Sequence, residues 1–133
     1  MHPVGRLRTP RPVRILTVDD QAPFREAAKS MVAGTPGFEV AGESADGASA
    51  IRMARELDPD LVLVDVRMDG MDGIETARRL TQEDPSRVVV LVSGDDLQAL
   101  SEQVRRSGAA AVLRKHWLSP RLLRGLWIAL RKR

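Results

Sequence analysis

The 133-residue chain has no cysteine, which excludes disulfides and thiolate sites and fits a reducing compartment; the expected location is the cytoplasm. No apolar run approaches the ~18 residues needed to span a bilayer, so no membrane association is expected. The opening MHPVGRLRTPRPVR has no apolar stretch and does not read as a secretory signal. Acidic residues are missing from both ends. Residues 1–14 carry four arginines and no acid, and residues 114–133 carry seven Lys or Arg and no acid. The stretch between them holds the other ten basic residues and all 18 acids, a net of −8. Basic ends raise the question of nucleic acid. No helix-turn-helix, zinc or RNP pattern accompanies them, so direct nucleic-acid binding is not expected. Internal repeats are also absent, and so is any composition shift marking a second domain.

What is present is a regular alternation. The length suits one domain with one core. Residues 1–12 read as a flexible basic arm, and 13–133 as the folded domain. Val13–Val18 reads as a strand, followed by a helix over about Pro23–Val32. GTPG breaks the chain at Gly34–Gly37. FEVAGES, Phe38–Ser44, is a second strand, and DGASAIRMAREL, Asp46–Leu57, a second helix. Residues 60–65 form a third strand, Ile74–Glu83 a helix, and RVVVLVSG, Arg87–Gly94, a fourth strand. DDLQALSEQVRRSG is a helix closed by Gly108. AAAVLRK, Ala109–Lys115, is a fifth strand, and the last helix opens with Ser119 as N-cap and Pro120 at its first position. Five β-α units with short connections predict an α/β fold with a parallel sheet and helices on both faces.

In such a sheet ligands bind beyond the carboxyl ends of the strands. Strand one ends there in Asp19-Asp20, strand three in Asp65, strand four in Ser93 and strand five in Lys115. Glu43-Ser44, ending strand two, falls to one side. Three carboxylates cannot share a small space as bare anions: repulsion raises their pKa values or calls in a cation. All-oxygen ligands suit a hard ion such as Mg²⁺. One carboxylate is then left as a nucleophile, with Lys115 and Ser93 supplying a charge and a hydroxyl for a tetrahedral anion. The chemistry implied is phosphoryl transfer to a carboxylate.

The acidic pair in LTVDD, the loop VDVRMDGMDG, the strand VVVLVSG and the lysine in AVLRK occur in order on this β-α pattern. Together they resemble the response-regulator receiver domain of bacterial two-component systems, from about Val13 to Leu130. FREAAKSMV and DGASAIRMA place the resemblance nearest the LuxR-type branch. The resemblance implies a flavodoxin-like, doubly wound five-stranded sheet in the order 2-1-3-4-5. It implies that Asp65 is the phosphoacceptor, Asp20 a direct Mg²⁺ ligand, Asp19 a ligand acting through water, and Arg67 a ligand through its backbone carbonyl. Ser93 takes the switch position and Lys115 that of the invariant lysine. The donor implied is the phosphohistidine of a histidine kinase or phosphotransfer protein. The protein then catalyses only its own phosphorylation and dephosphorylation. The alternative is a receiver-like interaction module that works without phosphorylation.

Several positions depart from the family pattern. Asp69 stands where proline is common, Val112 where an aromatic is usual, and His116 where proline usually follows the lysine. Arg67 and Asp95 carry opposite charges at positions that, by the resemblance, tune phosphoryl lifetime in the family. The effector domain usual in the LuxR-type branch does not appear, which leaves a stand-alone receiver and a truncated transcriptional regulator both open. Leu122, Leu123, Leu126, Trp127 and Leu130 form a stripe on the last helix. It is read as a core face, with a homodimer as the other option; Trp117 and Ile128 are the expected exposed apolar residues.

Overall fold

The computed structural model describes residues 11–94 and 101–131. Residues 1–10 of the expected arm and Asp95 lie outside the described residues. The elements are β1 (Val13–Val18), α1 (Ala22–Ala33), β2 (Phe38–Ser44), α2 (Gly47–Leu57), β3 (Leu61–Asp65), α3 (Gly73–Glu83), β4 (Val88–Ser93), α4 (Ser101–Ser107), β5 (Ala111–Arg114) and α5 (Pro120–Leu130). All strand pairs are parallel, and the sheet order is β2-β1-β3-β4-β5. This is the flavodoxin-like arrangement expected.

The apolar runs of β3 and β4 fill the middle of the sheet, and every residue of both strands is buried. Their alternate side chains enter two separate cores. Val62, Val64, Val89 and Leu91 pack with Ala50, Ile51, Ala54, Ala77 and Leu80 of α2 and α3. Leu61, Leu63, Val88, Val90 and Val92 pack on the other face with Val32 of α1 and Leu123 of α5. A run without alternation is what a strand covered on both faces requires. The stripe Leu122, Leu126, Trp127 and Leu130 packs against this second core, so α5 spends its apolar face inward. Trp117 and Ile128 are the exposed large hydrophobic residues among those described, as expected.

Helix starts follow their caps. Asp46 accepts from the Ser49 backbone N–H at 2.8 Å, Asp72 from that of Glu75 at 2.8 Å, and Ser119 from that of Leu122 at 3.1 Å. The second helix therefore begins at Gly47, with Asp46 capping it from outside. β5 is shorter than the sequence predicts. It stops at Arg114, and Lys115–Trp117 form a 3₁₀ turn, so Lys115 leaves the ladder just where its ammonium is needed. His116 is exposed, its ring edge-on to Trp117 with centroids 6.1 Å apart. Val112 is half-buried and packs against the α2–α3 core. Among the described residues no helix is long and apolar enough to cross a membrane.

Candidate metal and phosphoryl site

β1 and β3 are paired in register, Val18 opposite Val64, so Asp19 and Asp65 emerge side by side at the carboxyl edge of the sheet. Asp19, Asp20 and Asp65 each offer an oxygen, and these lie within 4.8 Å of one another. Asp19 is fully buried, Asp65 is 6% exposed, and Asp20 is exposed. The site is thus a floor of two buried carboxylates with a third at the rim.

Lys115 reaches this floor from β5. Its Nζ lies 2.7 Å from Asp19 Oδ2 and 3.6 Å from Asp65 Oδ2. One ammonium against three carboxylates leaves the cluster negative. The consequence falls on Asp65, whose pKa is pushed up to about 6. Burial is the main cause, with the Asp19 charge next; Lys115 and the Arg67 backbone N–H oppose it, and the Asp20 charge adds to the rise. Asp19 Oδ1 accepts from the Gln21 backbone N–H at 2.8 Å. Asp19 Oδ2 is buried and meets Lys115 as an ion pair, without an aligned hydrogen bond. Three carboxylates with oxygens within 4.8 Å of one another and an excess of negative charge over the one ammonium together fit a hard divalent cation.

Ser93 ends β4 one residue beyond Val92, which is Asp65's partner in the ladder, and it is buried. The Val66 N–H donates to the Val92 carbonyl at 2.9 Å, tying the turn after Asp65 to the end of β4. Arg67, Asp69 and Asp72 line a cleft of about 530 Å³ that opens beside Asp20. Because residue 69 is not proline, it has an N–H to give, and this lies 3.4 Å from Asp20 Oδ2. The loop VRMDGMDG returns tightly. Gly70 has φ of 76°, and a Cβ on Gly73 would sit 1.9 Å from the Asp65 carbonyl oxygen.

The structure thus brings together five residues singled out in the sequence: Asp19, Asp20, Asp65, Ser93 and Lys115. Glu43 and Ser44 stay outside the cluster, as expected; Glu43 pairs with Arg25 at 3.3 Å. Two neighbours were not foreseen. Arg25 donates to the Asp19 backbone carbonyl at 2.7 Å, and the Phe24 ring lies under the Lys115 ammonium, 4.6 Å from ring centroid to Nζ. Both fall in the first turn of the helix that follows the acidic pair. That position, directly after two aspartates, is the signal in the sequence that could have pointed to them.

Comparison with known proteins agrees with this geometry. The response regulator receiver domain family matches residues 15–126. A protein-glutamate methylesterase/protein-glutamine glutaminase of Anaeromyxobacter dehalogenans is 40% identical over 79% of this chain, a match that covers 30% of that relative. The chain spans less than half the length of this and similar curated relatives, such as DegU of Brevibacillus brevis, of which 44% is covered at 33% identity. The signal receiver domain of the response regulator NarL from Mycobacterium tuberculosis superposes with a TM-score of 0.82 at 31% identity, covering 90% of this chain and 97% of that one. Over its two core layers and its acidic edge, the chain belongs to the response regulator receiver domain family.

Proposed function

We propose that the protein is a phosphorylation-dependent switch of a two-component phosphorelay, and that Asp65 accepts a phosphoryl group from the phosphohistidine of a histidine kinase or phosphotransfer protein. Asp20, Asp19, Asp65 and the Arg67 carbonyl would hold Mg²⁺. When bound, that ion supplies positive charge for the phosphoryl oxygens. The observation that carries the reading is the state of Asp65: a buried carboxylate at a strand end, crowded by Asp19 and faced by an ammonium 3.6 Å away. With a pKa of about 6 it is ionised at neutral pH, yet poorly solvated, which suits a nucleophile.

In the transfer a carboxylate oxygen of Asp65 forms a new O–P bond while the donor's P–N bond breaks. The electron pair of that bond stays on the imidazole nitrogen. The Lys115 ammonium exchanges its contact with Asp19 for one with a phosphoryl oxygen. Ser93 donates its hydroxyl to another. Asp65 no longer presents a free carboxylate, and the contacts of Lys115 and Ser93 change with it; that is the switched state. The chemistry is confined to the protein's own aspartate, so the reading is of a signalling module rather than an enzyme acting on substrates.

Incubation with acetyl phosphate and Mg²⁺, followed by intact mass, tests this. The parent gains one phosphoryl group and Asp65→Asn gains none. Equal uptake by the two overturns the assignment.

A further inference from the structure

We propose that Phe24 is a positioning residue for Lys115, its ring face holding the ammonium over the carboxylate pair. The inference rests on the reading of Asp65 as phosphoacceptor and adds a residue which that reading does not use. Among the described residues Lys115 Nζ lies 2.7 Å from Asp19 Oδ2, 3.6 Å from Asp65 Oδ2 and 4.6 Å from the centroid of the Phe24 ring.

The ring arrives there because α1 starts at Ala22, directly after the acidic pair, and its first turn packs on the core shared with α5. Phe24, Ala27, Ala28, Met31 and Leu118 line a cleft of about 100 Å³ together with Lys115. Apart from the ammonium this cleft is apolar, and a desolvated cation gains more from a ring face than a hydrated one.

A lysine ammonium is a compact point charge on a flexible stem. Two carboxylates attract it without fixing its direction. The ring is a reference that does not change when Asp65 becomes acylphosphate. Lys115 can leave Asp19 for a phosphoryl oxygen while keeping the ring beneath it. If Phe24 were only a packing residue, the electron density of its ring would be irrelevant to the site.

That difference is the test. In the full chain, Phe24 is replaced by mono-, di- and trifluorinated phenylalanines, which nearly preserve its shape while draining the π face, and by Tyr and Leu. In the metal-free protein the Lys115 Hε resonances are expected upfield in the parent, from the ring current, and near ordinary lysine values in Phe24→Leu. With acetyl phosphate and saturating Mg²⁺, the rate of phosphoryl uptake is expected to fall stepwise with fluorination, by roughly two- to fivefold over the series, and Phe24→Tyr keeps the parent rate. The fluorinated series is informative even if Phe24→Leu does not fold. A rate indifferent to fluorination overturns the role of Phe24 and leaves the assignment of Asp65 standing. A parent that takes up no phosphoryl group overturns the phosphoacceptor reading and this inference with it.

Discussion

Lys115 sits closer to Asp19 than to Asp65, by 2.7 Å against 3.6 Å, so without a cation its charge is spent mainly on the carboxylate that is fully buried. Removing the ammonium leaves Asp19 buried and uncompensated. Lys115→Met is expected to cost about 2–4 kcal/mol of stability at neutral pH without metal, since breaking a buried pair from one side is more costly than the pair is worth. Urea unfolding measures it. Unchanged stability would mean that the Lys115–Asp19 contact contributes nothing to the fold.

Asp65 gives the opposite sign. A carboxyl whose folded pKa, about 6, stands above its ordinary 3.8 binds its proton more tightly in the folded state. Its contribution is therefore complete below pH ~4 and lost as the pH climbs through ~6. Asp65→Asn carries no such charge. It should be more stable than the parent by about 1–3 kcal/mol at pH 7, with the gap closing toward pH 4. Unfolding of both proteins across that range checks the slope. A gap that widens on acidification contradicts the electrostatic picture.

Asp20 is the exposed member of the cluster, while the Asp19 oxygens already face the Gln21 N–H and Lys115. Asp20→Ala should weaken Mg²⁺ binding by at least about tenfold. Asp69→Pro, which deletes the N–H aimed at Asp20, should weaken it by less. Calorimetric titration of the metal ranks them. Parent-like affinity in Asp20→Ala removes it from the ligand set.

Gly73→Ala should be among the most damaging small substitutions in the chain. Its methyl would meet the Asp65 carbonyl at 1.9 Å, and backbone is what must give way. A loss of about 1–3 kcal/mol is expected, with phosphoryl uptake reduced further because Asp65 itself is displaced. Gly70→Ala meets no atom within 4 Å and is strained only by its φ of 76°. It should affect stability more than uptake.

The two-sided burial of β3 was legible because Leu61–Val64 has no polar position, and the edge chemistry followed once strand ends were known. The sheet order could be read only with the help of resemblance, since alternation predicts parallel strands without ranking them. The run Ala109–Leu113 reads as a strand that carries on through Lys115; in the structure the strand stops at Arg114, and the pairing of Lys115 with Asp19 is a contact between distant residues that no local pattern carries. Phe24 escaped notice for a related reason: an aromatic at helical spacing looks the same in sequence whether its face meets a leucine or an ammonium. Val112, where the family usually has an aromatic, packs on the α2–α3 core layer.

The caging of charge by β1, β3 and β5 also has a kinetic side. Asp19, Asp65 and Lys115 are far apart in sequence, and they meet where β1, β3 and β5 end at one edge of the sheet. A chain still assembling that edge is expected to keep the acids separated and hydrated, so that their repulsion arises after the folding barrier. Relieving it should leave the folding rate nearly unchanged and slow unfolding instead, as expected for interactions absent from a folding transition state. Bound cation would act through the same limb. The lifetime of the native protein, more than the speed with which it forms, would then report whether the acidic edge is filled.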